Sequence, residues 1–374
     1  MKRIINRFVL FFNILLALLL VSSHLAVMVN PQKIWQIAFL GLAYPYLLLA
    51  NSAMILYWLI LKKKEFLVSF IAIISGWNIL TSVIQLNFNF TRKARFSQTY
   101  NRSFRADNQT LKVLTYNVRA FNLYNWINFT EAKDSIFRFI ISEDPDIICF
   151  QEYYSQELGP FTSADLYRLL ASTPYRHIHY TIGENRNARY GIATFSTYPI
   201  VGSGVIRFDN TINVAIYTDI NFKGDTLRIF NNHLQSIHLN KRNYAFIDSL
   251  RLRYTDQQLQ DFLDISFRLK DAYIKRAEQA EIISGHIAGS PYQVIVCGDF
   301  NDTPVSFTYK KMKPGLSDSF VEAGSGLGNT YSGTFPSFRI DYILHSPEIN
   351  SLYTYRIRLK LSDHYPLVSY LKVE

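Results

Sequence analysis

Apolar and polar positions divide this chain near residue 90. Before it, three uncharged apolar segments follow one another: Phe8 to Met28, Ile34 to Leu61 and Phe66 to Leu86. Each reaches the roughly 20 residues needed to cross a bilayer core. None shows the polar face that a soluble helix keeps toward water. A signal peptide is the alternative for the first segment, but it lacks a clear small-x-small cleavage site and further apolar segments follow. The pattern predicts a membrane anchor over residues 1–90 with about three transmembrane helices. Residues 91–110 are polar and basic without periodic apolar positions, and read as a tether.

From Leu111 the pattern changes to short strands and amphipathic stretches, which sets a second unit at 111–374. Leu111 to Tyr116 alternates as a strand and ends at Asn117. Ala132 to Ile141 has helical spacing through Ile136, Phe137 and Ile140. Asp146 to Phe150 is an apolar strand that ends at Gln151-Glu152. Gly191 to Phe195, Val214 to Phe222 and Leu227 to Asn232 read as strands, the last running into His233. Ala272 to Ile287 is a predicted helix. Val294 to Cys297, rich in β-branched residues and bounded by Pro291 and Gly298, is a buried strand leading into Asp299-Phe300-Asn301-Asp302. Arg339 to Leu344 and Leu367 to Leu371 complete the set. Many strands with interspersed helices and no regular run of βα pairs predict a layered α/β domain on packed sheets.

Charge sharpens the division. The formal balance of +10 is carried wholly by residues 1–105, where 12 Lys/Arg face the single acid Glu65. Residues 106–374 hold 27 Lys/Arg against 28 Asp/Glu, a balance of −1. A near-neutral second unit argues against a non-specific grip on long nucleic acid, which rests on phosphate neutralisation. Lys2, Arg3 and Arg7 precede the first apolar segment, and Lys62-Lys63-Lys64 separate the second from the third. The positive-inside rule puts both groups in the cytoplasm, so three crossings leave the second unit extracytoplasmic, on the periplasmic side of a bacterial envelope. Arg92, Lys93 and Arg95 oppose that orientation. Cys149 and Cys297 both lie inside apolar strands. They read as buried free thiols, with a disulfide as the alternative in an oxidising compartment.

The strand ends share a chemistry. Asn117, Glu152, His233, Asp299, Asn301, Asp341, Asp363 and His364 all stand just beyond apolar runs or in the closing Ser362-Asp363-His364-Tyr365-Pro366 stretch. Singly, each has a plain explanation: Asp341 pairs with Arg339, or His233 is a hydrogen-bonded core histidine. Together they are hard oxygen donors, amides and imidazoles without thiolates, a set that suits Mg²⁺ completed by a substrate phosphate. Ser362-Asp363-His364 looks like part of a serine-hydrolase triad, but no Gly-x-Ser-x-Gly elbow accompanies it.

These blocks resemble the endonuclease/exonuclease/phosphatase superfamily of metal-dependent phosphoesterases, which includes DNase I-like nucleases, neutral sphingomyelinases and inositol polyphosphate 5-phosphatases. They occur in family order: Thr115-Tyr116-Asn117-Val118, Ile148-Cys149-Phe150-Gln151-Glu152, Asn231-Asn232-His233-Leu234, Gly298-Asp299-Phe300-Asn301, Arg339-Ile340-Asp341-Tyr342-Ile343 and Ser362-Asp363-His364-Tyr365-Pro366. The resemblance covers Leu111 to the C-terminus. It implies a four-layered α/β sandwich, two packed β-sheets flanked by helices, with the site at one edge. It further implies Glu152 as the principal ligand of Mg²⁺ (or Mn²⁺), Asn117 holding the ligand shell and Asp363 at or near a second metal position. Asp299 would activate or orient the attacking water, and Asn301 and His233 would bind phosphoryl oxygens. His364 would contact the phosphate with Asp341 behind it. Asp299 and His364 both remain candidates for the base.

Departures from the family pattern bear on substrate. Asn232 stands where Thr or Ser is common. Asn240 to Arg276 is an insertion, read either as a lid or membrane-facing flap or as a solvated helical hairpin. Arg186 and Arg189 are candidate phosphate contacts, with plain surface arginines as the alternative. The implied protein is a membrane-anchored phosphoesterase acting on a lipid headgroup, a small phosphodiester or a phosphomonoester, with the bilayer as its partner through the N-terminal helices. The alternatives are a membrane-tethered nuclease on extracellular nucleic acid and a non-catalytic binding module on the same fold.

Overall fold

The computed structural model describes residues 2–87, 109–183, 187–237, 243, 256–333 and 337–374. The opening apolar segments fold as helices α1 (Lys2–Ser23), α2 (Gln36–Ile60), α3 (Phe66–Ser75) and α4 (Trp77–Val83). The first two are long and apolar enough to cross a membrane. The third expected span is instead a pair of helices bent by 77° at Gly76, and counts as a third crossing only if the pair acts as one. Gly76 lies against the His24 ring, where a Cβ would come within 2.4 Å of it. Among the apolar side chains sits one polar knot. Ser69 Oγ lies 2.9 Å from Asn13 Oδ1 and 2.8 Å from Asn51 Oδ1, and Asn51 Nδ2 donates to Leu16 O at 3.1 Å. Hydrogen bonds of this kind, worth about 1 kcal/mol in lipid, fix which faces of the three helices meet. The basic stretch expected as a tether falls almost entirely outside the described residues.

Among the described residues the second unit is built on twelve strands. One sheet comprises β1 (Thr110–Asn117), β2 (Ile147–Gln156), β3 (Tyr175–Ile182), β4 (Ala188–Ser196), β11 (Ile349–Arg356) and β12 (Leu367–Val373), in the order β11-β12-β1-β2-β4-β3. The other comprises β5 (Ile200–Arg207), β6 (Val214–Phe222), β7 (Asp225–His233), β8 (Gln293–Asp299), β9 (Ser317–Asp318) and β10 (Asp341–His345), in the order β5-β6-β7-β8-β10-β9. Strand alternation sorts their side chains. Leu111, Val113, Cys149, Ile295 and Cys297 fill the space between the sheets, while Leu114, Tyr116, Phe150 and Val296 face outward. Helices α5 (Ala132–Glu143) and α6 (Ser163–Leu169) cover the first sheet through Ile136, Phe137, Ile140 and Leu166. Helices α7 (Asp256–Ala288) and α8 (Phe307–Met312) cover the second through Ala280, Ile283, Tyr309 and Met312. A short helix, α9 (Ser319–Ala323), follows β9. The result is the four-layered sandwich that the resemblance implied. Both cysteines are buried and free.

The helix expected at 272–287 is the second half of α7, which begins at Asp256 and so takes in part of the expected insertion. Its inner face carries Ile265, Leu269, Tyr273 and Arg276.

The N-terminal helices pack directly on this domain. Val305 joins a cluster with Leu20, Tyr44 and Leu48 of α1 and α2. Gly41 of α2 makes this approach possible, since a Cβ there would stand 2.2 Å from Val305 O. Arg339 Nη2 donates to Ser82 O at 2.7 Å, and Gln85 pairs with Gly326 as an isolated bridge.

Candidate active site

Register places the polar strand ends side by side. In the second sheet His233 is opposite Asp299, and Asp299 is opposite Asp341, so β7, β8 and β10 end in one line. In the first sheet Asn117 is opposite Gln151, and a bulge between Phe150 and Tyr153 turns Glu152 toward the same edge. The bulge holds Glu152 at φ 51°, and Asn301 has φ 53°. Arg119 to Asn122 form a run of four residues with positive φ directly after β1. Such backbone costs about 1–2 kcal/mol per residue, and it clusters where a fold aims side chains. Here it sets Arg119 Nη1 3.0 Å from Asp363. Gly298, at φ 128°, lets β8 run so close to β7 that a Cβ would meet Asn232 O at 2.1 Å.

Asn117 is the hub. Its Nδ2 donates to Glu152 Oε1 at 3.2 Å and to Asp299 Oδ2 at 3.0 Å, while its Oδ1 accepts from the Arg119 amide. Asp299 Oδ1 accepts the Asn301 amide at 2.8 Å, and Asn301 Nδ2 donates to Leu234 O. His233 Nε2 lies 3.8 Å from Glu152 Oε1 and 4.0 Å from Asp299 Oδ2. His364 Nε2 lies 3.6 Å from Asp299 Oδ2, and its Nδ1 is 2.9 Å from Asp341 Oδ2. Asp341 is not the partner of Arg339. That arginine, buried, pairs with Asp318 at 2.8 Å and reaches Ser82 O.

The electrostatics follow from this crowding. The Glu152 carboxyl is pushed up from its ordinary value, first by desolvation and then by Asp363, against the opposing pull of Asn117, His364 and Arg119. Asp299 is raised to about 6, by burial first, with Asp341 adding to the shift and His364 and His233 opposing it. His364 is held well above the usual imidazole range. Burial opposes this, but the carboxylates of Asp341, Asp299 and Asp363 outweigh it. Perturbed values on three neighbouring groups in one cleft are what an acid–base site requires.

The donor set fits a hard divalent cation. Glu152 and Asp363 repel one another across the cleft, and the two cysteines, Cys149 and Cys297, lie in the inter-sheet core. Among the described residues, Asp299, Asp341 and His364 also bring three ligand atoms within 4.8 Å. That cluster is less suited to an ion, because His364 Nδ1 is engaged by Asp341 and a protonated imidazole offers no lone pair. Glu152, at the cleft wall, is the better seat.

One cleft gathers Arg119, Glu152, Asp299, Asn301, Asp363 and His364. His233 lines an adjoining cleft that shares Arg119 and Glu152. Asn117 and Asp341 support these walls from behind. Arg189 does not join them. Its guanidinium lies over Tyr180 and donates to Ser163 Oγ, and it is absent from both cleft linings. Arg186 lies outside the described residues. Several contributors escaped sequence reasoning. Gln151 Nε2 donates to Asn231 Oδ1 at 2.7 Å, a buried tie between the two sheets beneath the site. Tyr331 meets the His364 ring edge-on at 5.4 Å, and Thr330 Oγ1 accepts the amides of Ile340 and Asp341. Arg276 pairs with Asp302 at 3.3 Å in a buried contact just behind Asn301. The last had a signal in the second carboxylate of Asp299-Phe300-Asn301-Asp302, and Gln151 and Asn231 stood within the six sequence blocks without their pairing being legible.

Known proteins agree with this architecture. Residues 114–364 match the model of the Endonuclease/Exonuclease/phosphatase family, and residues 6–83 match a domain of unknown function. No curated protein matches the chain. Among solved structures, an endonuclease/exonuclease/phosphatase from Beutenbergia cavernae is 17% identical with a TM-score of 0.52, over 71% of this chain and 72% of that one. The human nocturnin catalytic domain, solved with a bound sulfate anion, is 21% identical with a TM-score of 0.50, over 70% of this chain and 93% of that one. With two packed sheets, the six sequence blocks in order and the family match across two-thirds of its length, the chain belongs to the endonuclease/exonuclease/phosphatase family of phosphoric ester hydrolases.

Proposed function

We propose that the protein is a membrane-anchored phosphoesterase that hydrolyses a phosphate ester by attack of water, with Mg²⁺ or Mn²⁺ held at Glu152. The observation that carries this reading is the hydrogen-bonded chain from Glu152 through Asn117 to Asp299, with the hydrogen-bonded His364–Asp341 pair 3.6 Å from Asp299. When bound, the cation supplies Lewis-acid stabilisation of a phosphoryl oxygen.

The side chains do the remainder. Asn117, by donating to both carboxylates, fixes Glu152 and Asp299 relative to each other. Asp299, with its carboxyl near 6, is ionised at neutral pH yet basic enough to take a proton from the attacking water. His364, kept as imidazolium by Asp341, offers its Nε2 proton to a phosphoryl oxygen. His233 and Asn301 complete the oxygen contacts from the other side. A preorganised charged donor of this kind lowers the barrier by about 3–4 kcal/mol. Asp363, paired with Arg119, keeps that guanidinium at the cleft rim. The catalytic unit stands on the extracytoplasmic face in this reading, supported by the basic residues at the opposite end of the helix bundle. A second reading, a nuclease, is favoured by Trp126, whose exposed ring has Arg119 4.5 Å above it and Tyr124 beside it, an available stacking face for a base.

The test is Glu152→Gln, which keeps the volume and removes the anion. In the full chain, hydrolysis of bis-p-nitrophenyl phosphate should fall about 10²-fold or more and recover in part at high Mg²⁺. Unchanged turnover at limiting Mg²⁺ would remove Glu152 from the metal site.

A further inference from the structure

The catalytic cleft is walled in part by a candidate membrane span. Beside Glu152, Asp299 and His364 it is lined by Leu42 of α2 and by Leu269 and Tyr273 of α7. The register of the span fixes its level. Gly41 sits beside Ala26, and Asn51 bonds Leu16, so α1 and α2 run antiparallel with Ile60 near the level of Arg7. Arg7 and Lys62-Lys63-Lys64 therefore mark one headgroup layer. The rise from Gly41 to Ile60 is about 29 Å at 1.5 Å per residue, against a hydrocarbon core of about 30 Å. Leu42 then lies at the opposite headgroup layer, and it stands in the cleft wall.

Helix α7 supplies the second observation. It touches the first two helices and their connection at several points along its length. Glu281 accepts from Asn30 in the connection, Lys270 lies 5.3 Å over Trp35, Tyr273 meets Phe39 at 5.8 Å, and Ile265 and Leu269 pack with Ala38. Beside that seam, on the N-terminal half of α7, Leu259, Phe262, Leu263 and Phe267 are 43–63% exposed. Their i, i+3, i+4, i+8 spacing puts them on one side of the helix, next to the seam. A row of four large apolar side chains is not left in water without a partner. Continuity with α2 names that partner, the leaflet that holds α2.

We propose that the substrate is an amphiphile of that leaflet, a phosphate ester whose apolar tail stays in the bilayer while its phosphate enters the cleft past Leu42 and Leu269. The Leu259–Phe267 stripe seats α7 in the same leaflet and holds the cleft mouth at headgroup depth. Hydrolysis breaks one P–O bond, placing the water hydroxyl on phosphorus and its proton on the departing oxygen. This rests on the phosphoesterase reading and on the crossing of α1 and α2.

Two chromogenic diesters with the same reacting phosphate separate the readings: hexadecyl p-nitrophenyl phosphate and its water-soluble ethyl counterpart, given to the full chain in phosphatidylcholine nanodiscs with Mg²⁺. The tailed ester should be preferred by at least about 100-fold in kcat/KM. The double variant Phe262→Asp, Phe267→Asp, outside the cleft lining, should keep its rate on the ethyl ester and lose at least about ten-fold on the tailed one. In a separate variant, Phe267→Trp, the added fluorescence should be quenched by lipids brominated on their acyl chains. Hydrolysis of the ethyl ester with no preference for the tail, a double variant that leaves the preference intact, or an unquenched Trp at 267 overturns the inference and leaves the phosphoesterase standing. Failure to hydrolyse either ester with Mg²⁺ or Mn²⁺ overturns both.

Discussion

The Asp341–His364 pair offers the sharpest test of the site, because it separates roles from mere presence. His364 Nδ1 and Asp341 Oδ2 are 2.9 Å apart and both side chains are buried, so the pair is a charge-assisted hydrogen bond shielded from water. The second oxygen, Asp341 Oδ1, is buried without a partner, so the charge has no other outlet within the pair. Asp341→Asn removes the charge and keeps the shape. His364→Ala removes the donor it sustains. Each should cost about 10²–10³ in turnover, the equivalent of about 3–4 kcal/mol for a lost preorganised donor. If the two act as one unit, the double variant should be little worse than the worse single one. The pH profile supplies a second readout. A histidine whose pKa is raised keeps its proton to higher pH, so activity that needs the imidazolium is present below that value and lost as pH rises through it. Removing the Asp341 anion lowers the value, and the alkaline limb should move down. The assay is steady-state hydrolysis of bis-p-nitrophenyl phosphate across pH, with circular dichroism to count folded molecules. Additive losses with an unmoved alkaline limb would refute the dyad.

Other consequences are simpler to check. Alkaline phosphatase fused after Leu86 should be active in a bacterial host if the bent α3–α4 pair crosses the membrane, whereas an inactive fusion would make the pair re-entrant. Gly41→Val places a branched side chain against Val305 O and Ala26, and overpacking of this kind costs about 1–3 kcal/mol. It should lower the Tm in detergent by several degrees, and an unchanged Tm would deny the contact between α2 and Val305. Glu322 is lowered to about 2: burial opposes this, but hydrogen bonds from His345, Ser317 and the Ser351 amide prevail. Its contribution is therefore present above the ordinary carboxyl value of 4.5 and lost as pH falls toward 2, and at 36% exposure it is worth at most about 1 kcal/mol. Denaturant titrations of Glu322→Gln and the parent should converge in that window, and a constant difference would refute the assignment.

What the sequence by itself determined was whatever a local period can carry. Alternation and β-branched runs identified β1, β2, β8 and β12, whose residues are buried almost throughout. Apolar length identified α1 and α2, and the six polar blocks identified the family. The strands left unread were β3, β5, β9 and β11, the four edges of the two sheets. An edge strand faces solvent along one side and needs no apolar run, and β5 alternates between half-exposed and exposed positions until Ile206, its one buried residue. Only the tertiary structure decided which strand ends meet. Period-two alternation says which face a residue takes, never which neighbour it will have. His233, Asp299 and Asp341 stand in one line because β7, β8 and β10 pair in that register. For the same reason Arg339 could not be separated from Asp341 in the chain, yet its charge is met by Asp318 on β9. The bend at Gly76, the place of Leu42 in the cleft wall and the seating of Val305 among α1 and α2 are likewise long-range packing, set by which surfaces fit once the elements exist.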